Sequence, residues 1–209
     1  MAPAVAVRSS ACEEDGESAS FAGQLETFLN VTGVEDVAEA ALRCYRSAFS
    51  ARAIGYRRNK GSEAAPVRMA VLVQWLVPAQ VAGVAFSMNP VTGDAGEVLI
   101  NAAWGLGESI VSGTVNPDSF VVSKAGMALI ESTLSDKDTM TVMVPGGTQH
   151  FSVPNELRRQ LCLNDALTIE IAQLVVRLED VMGWPVDIEW ALHGNDLYLL
   201  QCRPITTRV

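Results

Sequence analysis

Histidine is scarce in this sequence and cysteine is scattered. Only His150 and His193, and Cys12, Cys44, Cys162 and Cys202, occur in 209 residues. There is no C-x-x-C pair and too little histidine to complete a metal tetrad. Neither a zinc cluster nor a disulfide framework is indicated, and a reducing, cytoplasmic setting fits. Basic charge is also short: 15 Lys+Arg stand against 24 Asp+Glu, a net charge of −9. That excludes a general nucleic-acid binder driven by counterion release, so any anion must be bound locally. No apolar run approaches the ~18 residues that span a bilayer. The apolar stretch in MAPAVAVRSSACEED is too short for a secretory signal, and Arg8 follows it rather than preceding it. The phosphate loop G-x-x-x-x-G-K is missing, as is a strand–G-x-G-x-x-G–helix fingerprint, so Gly105-Leu106-Gly107-Glu108 and Gly113 read as tight turns. The two histidines sit in polar stretches without a neighbouring nucleophile and carboxylate, and neither is assigned a catalytic role.

What is present is a globular composition, 49% hydrophobic and 19% charged, enough for a sizeable core. Ala4 to Val7 reads as a short strand ending in Arg8-Ser9-Ser10, and Cys12 to Gly23 as a loop. Thr32 and Glu35 have the spacing of a capping box for a helix over 33–57 whose apolar stripe is Leu42, Tyr45, Phe49, Ala53 and Tyr56. Basic residues concentrate around it, seven against four acids between Glu35 and Arg68, as a solvated or partner-docking face. Strands are predicted over 67–77, 81–87, 97–101, 119–123 and 127–133, with a helical turn or two in GLGESIVSGTVNPD. Residues 135–154 read as a polar mobile loop or lid. Asn164 or Asp165 caps a second long helix with an apolar face of Leu167, Ile171, Leu174, Leu178 and Val181, stopped by Gly183. No internal repeat is evident, and 1–209 reads as one α+β unit.

The clearest local signal is VDIEWALHGNDLYLLQCRP, two alternating strands around His193-Gly194-Asn195. Alternation puts Asp187 and Glu189 on one face, opposite Ile188, Trp190 and Leu192. On the return strand Leu197, Leu199, Gln201 and Arg203 share a face, so matched faces bring the acids to Gln201 and Arg203. Two carboxylates two positions apart lie roughly 6–7 Å from each other. At an effective dielectric of ~20 their repulsion is on the order of 2–3 kcal/mol, and something cationic must offset it. Hard oxygen donors of this kind suit Mg²⁺ held together with substrate phosphates, Gln201 adding a carbonyl oxygen and Arg203 a guanidinium fork for phosphate. An exposed hairpin face on which Arg203 simply pairs with Glu189 accounts for the same residues.

Two weaker constellations accompany the hairpin. Arg8 follows a strand, and Gly23 and Thr27 lie in or beside a flexible stretch whose backbone N–H groups can approach phosphates; an ordinary strand-end arginine and loop glycine read equally simply. Gln74-Trp75-Leu76-Val77 ends an apolar strand and offers an amide and backbone groups to an adenine edge, or is merely a sheet edge.

Taken in order, AVRSSA, SFAGQLETFLNV, AVLVQWLV, AGVAFSMNPVTG, NAAWGLGESIVSGTVNPDSFVV and DIEWALHGNDLYLLQCRPIT resemble the ATP-binding domain of the phosphoenolpyruvate synthase and pyruvate phosphate dikinase family, which includes the rifamycin phosphotransferases. The resemblance covers nearly the whole chain and implies an ATP-grasp-like nucleotide-binding fold, partial and lacking its N-terminal part, that binds Mg-ATP between lobes. It further implies transfer of the ATP β-phosphate to a histidine on a separate domain or subunit and then to an acceptor. By motif, Arg8 and Arg203 take catalytic phosphate contacts, with Gly23 and Thr27 above the phosphates. Gln74, Trp75, Leu76 and Val77 face adenine, Glu189 and Gln201 bind metal and nucleotide, and Asp187 is a further metal or supporting candidate.

In the family a segment ahead of AVRSSA supplies a phosphate-binding lysine, and phosphohistidine and acceptor domains follow RPIT. This sequence contains none of these, so the resemblance implies a fragment, a split-gene subunit or a truncated relative. The implied partners are a missing N-terminal lobe and a phosphohistidine domain, with no nucleic acid and no membrane. The alternative function is a non-catalytic nucleotide-binding or protein-interaction module derived from that domain.

Overall fold

A computed structural model describes residues 3–11, 25–59 and 69–205. Where the sequence shows no boundary, the chain divides into two compact units. One comprises Met1–Leu76 with Met143–Thr148, the other Val77–Val142 with Gln149–Val209. Each has its own hydrophobic core.

The first unit holds strands β1 (Val5–Ala11) and β2 (Thr27–Val31), helices α1 (Val34–Ser47) and α2 (Ala51–Asn59), and strand β3 (Met69–Trp75). The strands form an antiparallel sheet in the order β2-β1-β3. β1 does not stop at Val7: it pairs with β3 from Val5 opposite Trp75 to Ala11 opposite Met69, so Arg8 lies inside a strand rather than after one. The predicted loop from Cys12 to Gly23 falls outside the described residues.

The single helix expected over 33–57 is two helices. After Ser47, Ala48, Phe49 and Ser50 each donate to the carbonyl three residues back, which tightens the turn, and Ser50 Oγ then accepts from Ala53 N to start α2. Thr32 forms no capping box; Gly33 at φ +91° leads into α1 without a side-chain cap. The buried face of α1 is also not the predicted stripe. Ala40, Cys44 and Ser47 are buried, packing small side chains against Val5 and Val7, while Leu42, Tyr45 and Phe49 remain 43–49% exposed. Small residues let the helix backbone approach the sheet, and two hydrogen bonds reinforce that approach. Ser47 Oγ accepts from Glu26 N at 3.2 Å and Cys44 Sγ donates to Glu26 O at 3.2 Å.

The second unit is built on six antiparallel strands in the order β11-β10-β4-β5-β6-β7. In chain order its elements are β4 (Val81–Phe86), β5 (Glu97–Trp104), α3 (Glu108–Val111), β6 (Asp118–Ser123), β7 (Ala128–Thr133), β8 (Thr139–Val144), β9 (Gly147–Ser152), α4 (Asn155–Arg158), α5 (Asp165–Met182), β10 (Val186–His193) and β11 (Asp196–Pro204), with the β8–β9 tip, Met143–Thr148, counted with the first unit. α5 covers one face of the large sheet. Asn164 caps it, accepting from Leu167 N at 2.9 Å, and Gly183 ends it in the left-handed region at φ +76°. Its buried residues are Thr168, Ile171, Ala172 and Val175, packed with Ile100, Phe120, Val122, Ile188 and Trp190. Val181, assigned to that face from sequence, is 75% exposed, because the buried stripe runs through Ala172 and Val175 instead.

The polar stretch 135–154 is not a loop: β8 and β9 form a two-stranded sheet, and its root is held by buried charge. Lys137 Nζ lies 2.5 Å from Asp118 Oδ1, both side chains fully buried. Asp118 Oδ1 also accepts from Ser135 N and Oδ2 from Cys162 N, each at 2.9 Å. Burial, with the Asp118 charge beside it, pushes the Cys162 thiol far up. In the same row of the sheet, two strands from Asp118, Gly83 admits the Trp190 indole: a Cβ there would stand 2.0 Å from Asn101 O and 2.5 Å from Trp190 Cζ2.

Two stability predictions follow from these contacts, both read by urea unfolding. Lys137→Met strands the Asp118 carboxylate and costs about 3–5 kcal/mol, whereas an exposed pair would cost far less. Gly83→Ala forces backbone and indole apart and costs on the order of 3 kcal/mol.

Candidate functional site

The site begins with the arithmetic of one hairpin. β10 and β11 are joined by Gly194-Asn195, with Gly194 at φ +62° and His193 paired to Asp196. A regular ladder running back from that turn would set Glu189 against Leu200 and Asp187 against Cys202. Instead the register shifts between Glu189 and Trp190: Trp190 pairs with Leu199, Glu189 with Gln201, and Leu200 is the extra residue of a β-bulge. From there Asp187 stands opposite Arg203.

The other face of β10 holds the acids in place. Val186, Ile188, Trp190 and Leu192 are buried in the core under α5, so period-2 alternation turns Asp187 and Glu189 to the far side. β10 is an interior strand, with Val84 and Phe86 of β4 in register beside Glu189 and Asp187. Sequence alternation correctly separated the two faces of β10 but not those of β11. Pairing back from the turn puts Leu197 and Leu199 on the apolar face, opposite Leu192 and Trp190, and Tyr198, opposite Ala191, on the acid face, and the bulge then turns Gln201 and Arg203 to that acid face. Tyr198 had not been singled out. The signal that finds it is the turn itself, because a two-residue loop cannot pair Asp187 with Arg203 without one extra residue.

Arg203 Nε and Nη2 each lie 2.8 Å from the same oxygen, Asp187 Oδ2. Asp187 Oδ1 is buried and has no hydrogen-bond partner among the described residues. Burial pushes the Asp187 carboxyl above the usual carboxylate range, and the Arg203 charge opposes that only in part. Glu189 and Gln201 are half-buried neighbours across the ladder. Among the described residues no group of three or more His, Cys, Asp or Glu is gathered to hold a metal. The oxygen donors here are two carboxylates and one amide, a hard set that suits Mg²⁺ when phosphate oxygens complete the coordination.

The first unit gathers a second set. Arg8 is in register with Thr27 of β2 and with Leu72 of β3, and Gln74 with Ala6. Arg8, Thr27 and Gln74 therefore share one face of the small sheet, while Val5 and Val7 on the other face pack against α1. Trp75 ends β3 at 77% exposure, and Leu76 donates its N–H to Ala4 O at 3.0 Å. Val77 belongs to the second unit and accepts from Ala79 N at 2.8 Å. Gly23 lies outside the described residues.

Other sequence candidates have structural partners. Gly105, at φ +82°, meets Thr141, whose carbonyl would lie 2.3 Å from an added Cβ, so this glycine serves backbone packing. His150 sits in β9 rather than in a turn, its Nδ1 3.0 Å from Thr141 Oγ1, and His193 ends β10 with Nδ1 2.9 Å from Pro78 O.

Fold and site together describe an α+β domain with mostly antiparallel sheets that displays oxygen donors and an arginine on a core-backed strand pair. The family described as "Pyruvate phosphate dikinase, AMP/ATP-binding domain" matches residues 1–209, and the chain belongs to it. It is 46% identical over 203 residues to a protein named "Probable phosphoenolpyruvate synthase" of Methanothermobacter thermautotrophicus, covering 97% of this chain and 30% of that protein. It is 43% identical over 213 residues to the "Phosphoenolpyruvate synthase" of Pyrococcus furiosus, covering 97% and 26%. It is 40% identical over 204 residues to the "Rifampicin phosphotransferase" of Streptomyces sviceus, covering 98% and 23%. The chain thus spans less than a third of the length of these relatives.

Deleting Leu200 converts the bulged ladder to a regular one without moving the functional pairs. Nuclear Overhauser contacts between residues 187 and 203, and between 189 and 201, are expected to survive the deletion; their loss would show that the bulge does more than correct the register.

Proposed function

We propose that this chain is the Mg-ATP-binding part of a dikinase-type phosphotransferase, with an ATP-grasp-like fold and a reducing cytoplasm as its setting. The observation that carries the reading is the bulged β10–β11 ladder, which sets Glu189 beside Gln201 and Asp187 beside Arg203 on one core-backed face. Family membership supports the nucleotide, and the hard donor set fits the metal.

In this reading Glu189 and Gln201 would hold Mg²⁺, which when bound neutralises phosphate charge, while Asp187 is engaged by Arg203. Arg203 and Arg8 bind phosphate oxygens and stabilise the charge that develops as the β-phosphoryl group leaves for a histidine on another domain or chain. Gly23 and Thr27 cover the phosphates, and Gln74 with Trp75, Leu76 and Val77 contacts adenine. The work of the protein is positioning and charge neutralisation, which suits groups fixed by strand register. Partners outside this sequence, an N-terminal lobe and a phosphohistidine domain, complete the transfer.

A competing reading, a nucleotide-binding or interaction module without catalysis, draws on the exposed Leu42 and Tyr45 of α1 and Phe49 in the turn after it. Calorimetry with ATP and Mg²⁺ separates the two, run with and without a phosphohistidine-domain partner. Glu189→Ala is expected to weaken ATP binding by about tenfold or more with an unchanged melting temperature, and Arg203→Ala to weaken it as much while lowering the melting temperature, because it leaves the buried Asp187 carboxylate unpaired. Unchanged affinity in both variants removes the site assignment. No ATP-induced stabilisation of the wild-type chain, with no partner found, favours the module.

A further inference from the structure

We infer that Asp187 is a positioning residue for Arg203 and not a metal ligand. This inference rests on the phosphate-binding role proposed for Arg203 and deepens it. Three observations carry it. The Nε and Nη2 groups of Arg203 converge at 2.8 Å on one carboxylate oxygen, Oδ2, which fixes the guanidinium by two donors on adjacent nitrogens. The Asp187 side chain is 10% exposed, and its other oxygen, Oδ1, is buried without a hydrogen-bond partner among the described residues, so a cation carrying its water shell has no open approach to it. Finally, Asp187 lies on an interior strand, flanked in register by Phe86 and Arg203, so the backbone that carries its carboxylate cannot shift without breaking a ladder on either side.

An arginine side chain has four rotatable bonds, and a phosphate-binding arginine left mobile must lose that freedom on each encounter. Held by Asp187, the guanidinium is ordered before nucleotide arrives. A carboxylate with one oxygen unsatisfied is a poor choice for stability alone, since a small apolar residue would fill the position without the desolvation cost. Its use here is to set the plane of Arg203.

The test uses this chain with Asp187→Ala, Asp187→Asn, Arg203→Ala and the Asp187→Ala/Arg203→Ala double variant. The first readout is solvent exchange of the Arg203 Nε–H, assigned by its disappearance in Arg203→Ala. Exchange is expected to be at least about tenfold faster in Asp187→Ala than in the wild type and intermediate in Asp187→Asn, which weakens but does not remove the acceptor. Equal exchange in the wild type and Asp187→Ala overturns the inference. The second readout is ATP affinity measured with Mg²⁺ and again with EDTA. A positioning role predicts about a tenfold loss in Asp187→Ala under both conditions and no further loss in the Arg203→Ala background. A loss seen only with Mg²⁺, and retained when Arg203 is already alanine, makes Asp187 a metal ligand and overturns the inference. If Asp187→Ala does not fold, Asp187→Asn preserves the side-chain volume and decides by the same two readouts. If Arg203→Ala leaves ATP affinity unchanged, the proposed phosphate role falls, while the Nε–H exchange still decides whether Asp187 holds Arg203.

Discussion

The polar face of the β10–β11 hairpin depends on where its return strand shifts register. Leu200 is the extra residue that turns a ladder pairing Asp187 with Cys202 into one pairing Asp187 with Arg203. Side chains alternate strictly, so a one-residue error of register moves every group on the return strand to the wrong face. A two-residue turn fixes the parity at one end of the hairpin, and the apolar side chains of β10 fix it at the other. The two demands differ by one, and the bulge reconciles them. With Leu200 kept but paired in a regular ladder, Gln201 would stand opposite Ile188 and Arg203 opposite Val186, both facing the core beneath α5.

That core is strong enough to impose the geometry. Ile188 and Trp190 are fully buried, and each such side chain contributes on the order of 1.5–3 kcal/mol that would be forfeited on flipping the strand. Gly83 adds a steric condition, since only a residue without a Cβ lets the Trp190 indole lie against β4 and β5. Arg203 compensates one of the Asp187 oxygens and so lowers the cost of burying that carboxylate. The carboxylate therefore stays where the apolar face of its strand puts it.

How much of this was legible in the sequence varied with the physical signal. The caps of α5 are chemical, an Asn that accepts from the third residue on and a Gly that adopts positive φ, and both were legible. The Asp187/Glu189 face was legible because Ile188, Trp190 and Leu192 interrupt it with bulk. Packing by small residues was not. The aromatic stripe of α1 outweighed Ala40, Cys44 and Ser47 in any reading that scores hydrophobic size, yet close approach to the sheet selects the small side chains. The hairpin at 139–152 was hidden for another reason: its second strand, Gly147–Ser152, is mostly polar, and the pair that anchors it, Asp118 and Lys137, is 19 residues apart in sequence. The bulge left no compositional mark, since Leu200 resembles its neighbours.

The small sheet of the first unit follows the same logic with different residues. Val5 and Val7 face α1, so Arg8, with Thr27 and Gln74 in register beside it, is left on the face turned away from α1. In both units a helix consumes one face of an antiparallel sheet, and the polar residues that remain are those whose parity the core has already decided. Polar side chains drawn from distant parts of the sequence thereby share a face without any direct selection for their contact. A substitution that keeps such a side chain but disturbs the strand parity beneath it should be as damaging as removing the side chain itself. Within these sheets, apolar residues with no part in binding a ligand thus determine which groups are available to bind one.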